Sequence, residues 1–332
     1  MKPKMKTELN INALVMVLSL LLFVSTQTAI AQHQANKKKS TASGPNSHTA
    51  MGSMNMQALQ PLDTSTIERV MGMKGKSNKG EYKVTVPQND LKIEVDGFLI
   101  SPPMGLGTWI AFTPAHDGAM LMGDLVITEN DLKPVQQEII RQGLTITAIH
   151  NHFVRNRPNV MYMHIGGSGT TEQLAQKAKA VLDQIKQSRG GDPSKGTASA
   201  EAVANTIDLK KLDQIVGYTG EMTKGVYKYT IGRPDVKLME HGITVSTFLG
   251  FNTWAAFQGS PDHAAVAGDF TMKENEVAAV IKALVENGIE VVAVHNHMVH
   301  EDPRIFFLHY WGVGPAEQLA KGLRAALDQT GK

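Results

Sequence analysis

The sequence predicts an α+β protein, mixed in the order of its strands and helices. It consists of two tandem homologous domains, each a mainly antiparallel sheet packed with two helices. Three observations predict this. The chain matches itself at an offset of 145 residues: Gly72, Trp109, Asp124, His150 and His164 recur as Gly217, Trp254, Asp269, His295 and His309. Between 107–185 and 252–330, 29 of 79 positions are identical, far more than chance supplies and at too long a period for a solenoid. Each copy then alternates β-branched and aromatic segments of period two with two longer segments of helical period.

The elements follow in order. Residues 1–31 read as a secretory leader: Lys2, Lys4 and Lys6 are its basic start, 13–24 its apolar run, and Ala29-Ile30-Ala31 its cleavage site. Twelve apolar residues are too few for a spanning helix, so no stable membrane anchor is expected after cleavage at Ala31, and the destination is periplasmic or secreted. Residues 32–60 are polar and aperiodic, a disordered tether whose His48, Met51, Met54 and Met56 are soft-metal donors or simply linker. Domain 1 spans 61–187, with strands at 82–86, 108–113 and 119–127. Thr128 then caps a helix with Asp131 in the capping box, Gly143 closes it, strands follow at 145–152 and 160–165, and a long helix covers 171–187. Residues 188–205, rich in Gly, Ser and Ala, are the linker to domain 2 at 206–332.

Charge and cysteine bound the chemistry. The chain carries 33 Lys+Arg against 31 Asp+Glu; the leader holds three Lys and one Glu, which leaves 30 of each sign. Without the tether's three Lys, residues 61–332 are mildly acidic, which argues against a nucleic-acid partner; the partner expected is a small-molecule ligand or substrate of the histidine sites. There is no cysteine, so thiol nucleophiles, iron–sulfur clusters and zinc ribbons are excluded, as is a lipid-modified cysteine. A metal must be held by histidine, carboxylate or backbone.

Histidine is abundant. His150 and His152 are two apart on one predicted strand and so share a face; Val160, Tyr162 and His164 share a face of the next. If those faces coincide, three imidazoles converge in an open site of the kind that activates water or polarises a carbonyl. The same spacing recurs as His295, His297 and His309, which predicts one site per domain for a divalent ion, zinc foremost. The competing reading is a set of hydrogen-bonded sheet histidines. Asn151 and Asn296, on the opposite face, are expected to hold loops.

For the carboxylate, Asp124 and Asp269 recur in both copies, as do Glu129 and Glu274, although the latter pair sits in a first helical turn where the dipole alone favours acid. Glu301 occurs only in copy two, which makes that copy the better catalytic candidate, with His241 and His300 as weak support. Trp109 and Trp254 read as core aromatics. The Gly166–Gly169 stretch lacks two of its residues in copy two and makes a poor phosphate loop, and no serine elbow occurs.

The strings GLGTWIAFTP, MGDLVIT, TAIHNH and MYMHIGGSG, with their second renderings FNTWAAF, AGDFTM, VVAVHNH and FFLHYWGVG, resemble the LppY/LpqO family of exported bacterial proteins over essentially all of 62–330. That resemblance implies no established activity. A more distant likeness is to acetolactate decarboxylase and its relatives, which hold a metal with H-x-H and a third histidine about ten residues on; it implies a three-histidine fold here. The chain departs from that pattern in its duplication and export, and it matches none of the decarboxylase's other active-site groups. His295-x-His297-x3-Glu301 also resembles the opening of a cupin motif, but two helices per copy oppose an all-β barrel. Lysostaphin-type peptidases pair H-x-H with an upstream H-x3-D, which is absent after His116 and His263. Together the residues point to an exported metal-dependent hydrolase or lyase acting on a small carbonyl or ester compound, or to a non-catalytic binding or structural module.

Overall fold

The computed structural model describes residues 59–116, 118–198 and 203–331. The leader, its cleavage site and the methionine-bearing tether lie outside the described residues.

Domain 1 begins with a short helix α1 (Thr64–Met71) and continues through β1 (Lys76–Asn78), β2 (Glu81–Pro87), the hairpin β3 (Ile93–Val95) and β4 (Phe98–Ile100), β5 (Gly107–Ala115) and β6 (Gly118–Thr128). Helix α2 (Glu129–Arg141), β7 (Thr145–His150), β8 (Val160–Gly169) and α3 (Thr171–Arg189) complete it. Its six-stranded sheet has the order β1-β2-β5-β6-β8-β7, antiparallel throughout. Domain 2 repeats the plan with α4 (Leu209–Val216), β9 (Glu221–Thr223), β10 (Val226–Gly232), β11 (Met239–Glu240), β12 (Ile243–Thr244), β13 (Asn252–Gly259), β14 (Ala264–Lys273), α5 (Val277–Glu286), β15 (Glu290–His295), β16 (Glu301–Asp302), β17 (Ile305–Gly314) and α6 (Ala316–Leu327). Its sheet order is β9-β10-β13-β14-β17-β15. The predicted two helices per domain are present, with α1 and α4 as a short third in each.

Capping explains several boundaries. Thr128 and Asp131 form the expected capping box, and Asp63 and Asp208 accept from backbone N–H groups at the starts of α1 and α4. The described part of the 188–205 segment is docked: α3 runs on to Arg189, and the carbonyl of buried Pro193 accepts from the N–H groups of Asn89 and Asp90.

Each sheet buries one face under its helices. In domain 1, Leu121, Leu125, Met163 and Ile165 meet Val135 and Ile139 of α2 and Leu174, Val181 and Ile185 of α3. Period two sends the alternate residues to the other face, and that face is covered by the other domain. Hairpin β3–β4 of domain 1 joins a cluster with Ala256, Ala265 and Trp311 of the second sheet. Conversely, Leu238, Ile243 and Leu249 of domain 2 pack on Ala111, Met120 and Met122 of the first. The two domains therefore share apolar cores through reciprocally crossed arms, and the space between the sheets is where the polar site lies.

Candidate metal centre

Strand register assembles the site. On β6, Met120, Met122, Asp124 and Val126 alternate with the helix-facing residues, so Asp124 points between the sheets. Its ladder partners are Trp109 on β5 and His164 on β8, which places the three side by side across three strands. Trp254, Asp269 and His309 form the same row in domain 2. His150 ends β7 opposite Tyr162, and His295 ends β15 opposite Phe307.

The prediction that His152 lies on a strand with His150 is corrected: β7 stops at His150. The chain turns away there because Phe153 is drawn into the shared core, where it is 1% exposed. His152 is fixed instead by a hydrogen bond to the Gly105 carbonyl at 3.1 Å and by stacking on Tyr162, ring centres 3.3 Å apart. His297 stacks on Phe307 in the same way at 3.4 Å. Asn296 does hold a loop as expected, but across the domains: its Nδ2 donates to the Thr147 carbonyl at 2.9 Å.

The six histidines do not form one site per domain; they meet in a single buried centre with approximate two-fold symmetry. His150 stacks on His295 with ring centres 3.9 Å apart, His152 lies 3.8 Å from His309, and His164 lies 4.0 Å from His297. Among the described residues, three groups bring their ligand atoms within 4.8 Å of one another: His150 with His152 and His309; His150 with His164 and His295; and Asp269 with His295 and His297. The first two mix residues of both domains. The physical reason is the facing of the sheets: β7 meets the end of β15 across the interface, with Thr147 bonded to Asn296 and His297, and the nearest imidazole to each histidine lies in the other copy.

Hydrogen bonding sets the tautomers. The Nδ1 atoms of His152, His164 and His309 lie 3.1, 3.2 and 3.0 Å from the carbonyl oxygens of Gly105, Gly123 and Gly268. A carbonyl only accepts, so each Nδ1 carries the proton and each Nε2 presents a lone pair. Those three Nε2 atoms are buried without a hydrogen-bond partner, as are both ring nitrogens of His150 and His295 and Nδ1 of His297. Two carboxyls approach from the sides: Asp124 Oδ2 is 3.5 Å from His152 Nε2, and Asp269 Oδ2 is 3.3 Å from His297 Nε2. At His152, whose Nδ1 carries the proton, a lone pair facing the carboxylate is repulsive unless a proton or a cation lies between them.

Burial decides the charges. It holds His164 below the usual imidazole range and the other five well below it, so all are neutral, as metal ligands must be. Burial also pushes the carboxyl of Asp124 up and that of Asp269 well up. Each orphaned buried nitrogen costs about 1–3 kcal/mol, and a fold that collects eight of them in one place carries a penalty that coordination would relieve at each nitrogen it uses.

The centre floors a cavity of about 460 Å³ lined from both domains. Its walls include Trp109 and Trp254, which combine the core packing expected of them with a face on the cavity: both are partly buried against the shared clusters, and their indoles stand edge-on to His164 and His309. Sequence reasoning also missed Lys83 and Lys228, whose Nζ atoms sit 4.4 and 4.0 Å from the indole centres of Trp109 and Trp254. Burial lowers both ammonium groups to about 8. The signal was available, since Tyr82-Lys83 repeats as Tyr227-Lys228.

The remaining candidates stand apart. Glu301 lies on β16 opposite Glu240, with Arg304 at 3.2 Å, outside the three ligand groups and the cavity lining. His241 and His300 pair with each other there, ring centres 4.5 Å apart. Glu129 opens α2 and accepts from Asn159, and Glu274 begins a 3-10 turn. The Gly166–Gly169 stretch is part of β8.

The family model for a domain of unknown function (DUF1259) matches residues 65–184 and again 210–329. No curated protein matches the chain. Among solved structures, a trimeric bacterial microcompartment shell protein, PduB, is 11% identical, covering 77% of this chain and 90% of its own at a TM-score of 0.20. EtuB from Clostridium kluyveri is 6% identical, covering 77% and 88%, at a TM-score of 0.18.

Proposed function

This chain belongs to the DUF1259 family, with the domain present twice, and we propose that the paired domains form one metal centre of two divalent ions. One ion would be held by His150, His152 and His309, the other by Asp269, His295 and His297. His164 and Asp124 flank them as the symmetry counterparts of His309 and Asp269. The observation that carries this reading is the collection of eight buried, unpartnered ring nitrogens on six neutral imidazoles, three of which have their tautomers set by backbone carbonyls. Three or four nitrogen and carboxylate donors suit zinc first.

The reaction class we assign is hydrolysis or lysis of a small carbonyl or ester compound. A bound divalent ion supplies Lewis acidity toward the carbonyl oxygen. The chain's own residues do the rest. Trp109 and Trp254 wall the cavity and give it apolar surface beside His164 and His309. Asp124 and Asp269 bring carboxyl oxygens to 3.5 and 3.3 Å from Nε2 of His152 and His297, where burial raises their affinity for a proton and a cation bound among the histidines would compete for the same lone pairs. The H-x-H and third-histidine spacing is similar to that of acetolactate decarboxylase, which favours a metal acting on a carbonyl, although here the third histidine beside His150 and His152 comes from the other domain. The leader supports a periplasmic or secreted location.

The test is elemental analysis of protein purified without a histidine tag, followed by an ester and 2-keto-acid turnover screen. About two divalent ions per chain and chelator-sensitive turnover are expected. Metal-free protein that folds and refuses added zinc would leave the non-catalytic binding module as the better reading.

A further inference from the structure

We infer that the cavity above the histidines binds a small dicarboxylate, its two carboxylates taken by Lys83 and Lys228 and its carbon chain lying against the indoles of Trp109 and Trp254. Three observations carry this. The two lysines are symmetry counterparts, 145 residues apart, on β2 and β10, and both line the one cavity. Among the described residues neither forms an ion pair within 4.0 Å; the negative groups that act on them, Glu81 on Lys83 and Asp269 on Lys228, do so from farther away. Each ammonium is instead set over an indole face, and Lys83 also lies 5.0 Å from the ring centre of Phe248. A half-buried cation without a counter-ion is costly and waits for an anion. Two of them, close enough that Lys83 depresses the pKa of Lys228, favour a ligand with two anionic groups.

The rest of the lining says what kind of anion. No arginine and no α-helix contributes to the lining, which meets only two single-turn 3-10 segments at Pro102 and Thr247, so the planar forks and long-helix N-termini that favour phosphate esters are missing. Asn78, Asn252, Thr85 and Thr230 offer neutral hydrogen bonds around the lysines, and the indoles offer apolar surface for a short carbon skeleton. A volume of about 460 Å³ is in the range of small-molecule sites. The role of this anion as substrate rests on the metal-centre reading; its binding does not.

The experiment uses the full chain, once treated with chelator and once loaded with zinc. Malonate, succinate and glutarate are titrated against acetate and inorganic phosphate, by calorimetry and by tryptophan fluorescence, since two of the three tryptophans wall the cavity. The inference expects at least one dicarboxylate to bind both forms about tenfold or more tightly than acetate, with a change in tryptophan emission. Lys83→Met and Lys228→Met should each weaken that binding about tenfold while the zinc content is unchanged, and Lys83→Arg should retain most of it. Acetate binding as tightly as every dicarboxylate, phosphate binding more tightly than all of them, or folded Lys→Met variants binding unchanged would overturn it. Dicarboxylate binding by a protein that holds no metal would leave this inference standing and remove the metal centre; zinc held without dicarboxylate binding would do the reverse.

Discussion

His309 belongs to domain 2 in sequence and to domain 1's H-x-H pair in space, and this crossing gives the sharpest test at a single residue. His309→Ala should lower the affinity of the ion shared with His150 and His152 by more than the roughly 10–100-fold that losing a mere outer partner costs and leave the other ion in place, read as a fall from two to one metal equivalents. The same imidazoles set a pH dependence. In the metal-free fold their pKa values lie below 6.5, so below that pH the unfolded chain binds more protons than the folded one and stability falls as pH drops. Asp124 and Asp269, raised in the fold, act in the opposite sense above pH 3.8, but six histidines outweigh two carboxyls near pH 6. Urea unfolding of chelated protein at pH 7.5 and 5.5 should therefore show the lower midpoint at 5.5. The histidines and aspartates of the site were legible because duplication repeated them. The tryptophans were not, since an aromatic in a strand usually packs in a core, and the lysines that turn these two toward a cavity sit on a neighbouring strand about 26 residues earlier in the chain.

At the scale of the element, the strand pair β14–β17 shows how tightly the centre is supported. Gly268 supplies the carbonyl that orients His309, and a Cβ there would meet the Tyr310 hydroxyl at 2.1 Å and the Trp254 carbonyl at 2.3 Å. The Tyr310 hydroxyl itself donates to that carbonyl, so it has little room to give way. Gly268→Ala should cost about 1–3 kcal/mol in chemical denaturation, and Gly123→Ala less, because its nearest contact is 3.0 Å. The helix starts carry a second device. In domain 2 the buried Arg233 bonds Glu276, Asp235 and the Thr271 carbonyl; in domain 1 the equivalent capping carboxylate, Asp131, is bonded by Arg189 from the far end of α3. Arg233→Met removes the buried guanidinium from Glu276, leaving it the backbone N–H groups of Lys273 and Gly331 and the partly exposed Lys273 ammonium, and should cost up to about 3–5 kcal/mol. The strands, long helices and capping box could be read from periodicity, but this arginine exchange could not, because the two residues do not correspond at the 145-residue offset.

At the scale of the molecule, the two domains are bound through crossed arms and a common polar centre, and the expectation of separate sites failed here. A sequence repeat specifies what each copy folds into, but the way two sheets face each other depends on surfaces that no local pattern encodes. One consequence is that metal should stabilise both domains together: at an ion concentration 100 times the dissociation constant the gain is about 2.7 kcal/mol, and chelation should lower a single unfolding transition rather than one of two. The most direct measurement is an anomalous difference map from crystals of the zinc-loaded protein. The account predicts two peaks between the sheets, one ligated by His150, His152 and His309, the other by Asp269, His295 and His297. A map with no peak among these residues, or with each ion held by the three histidines of one domain, would contradict it.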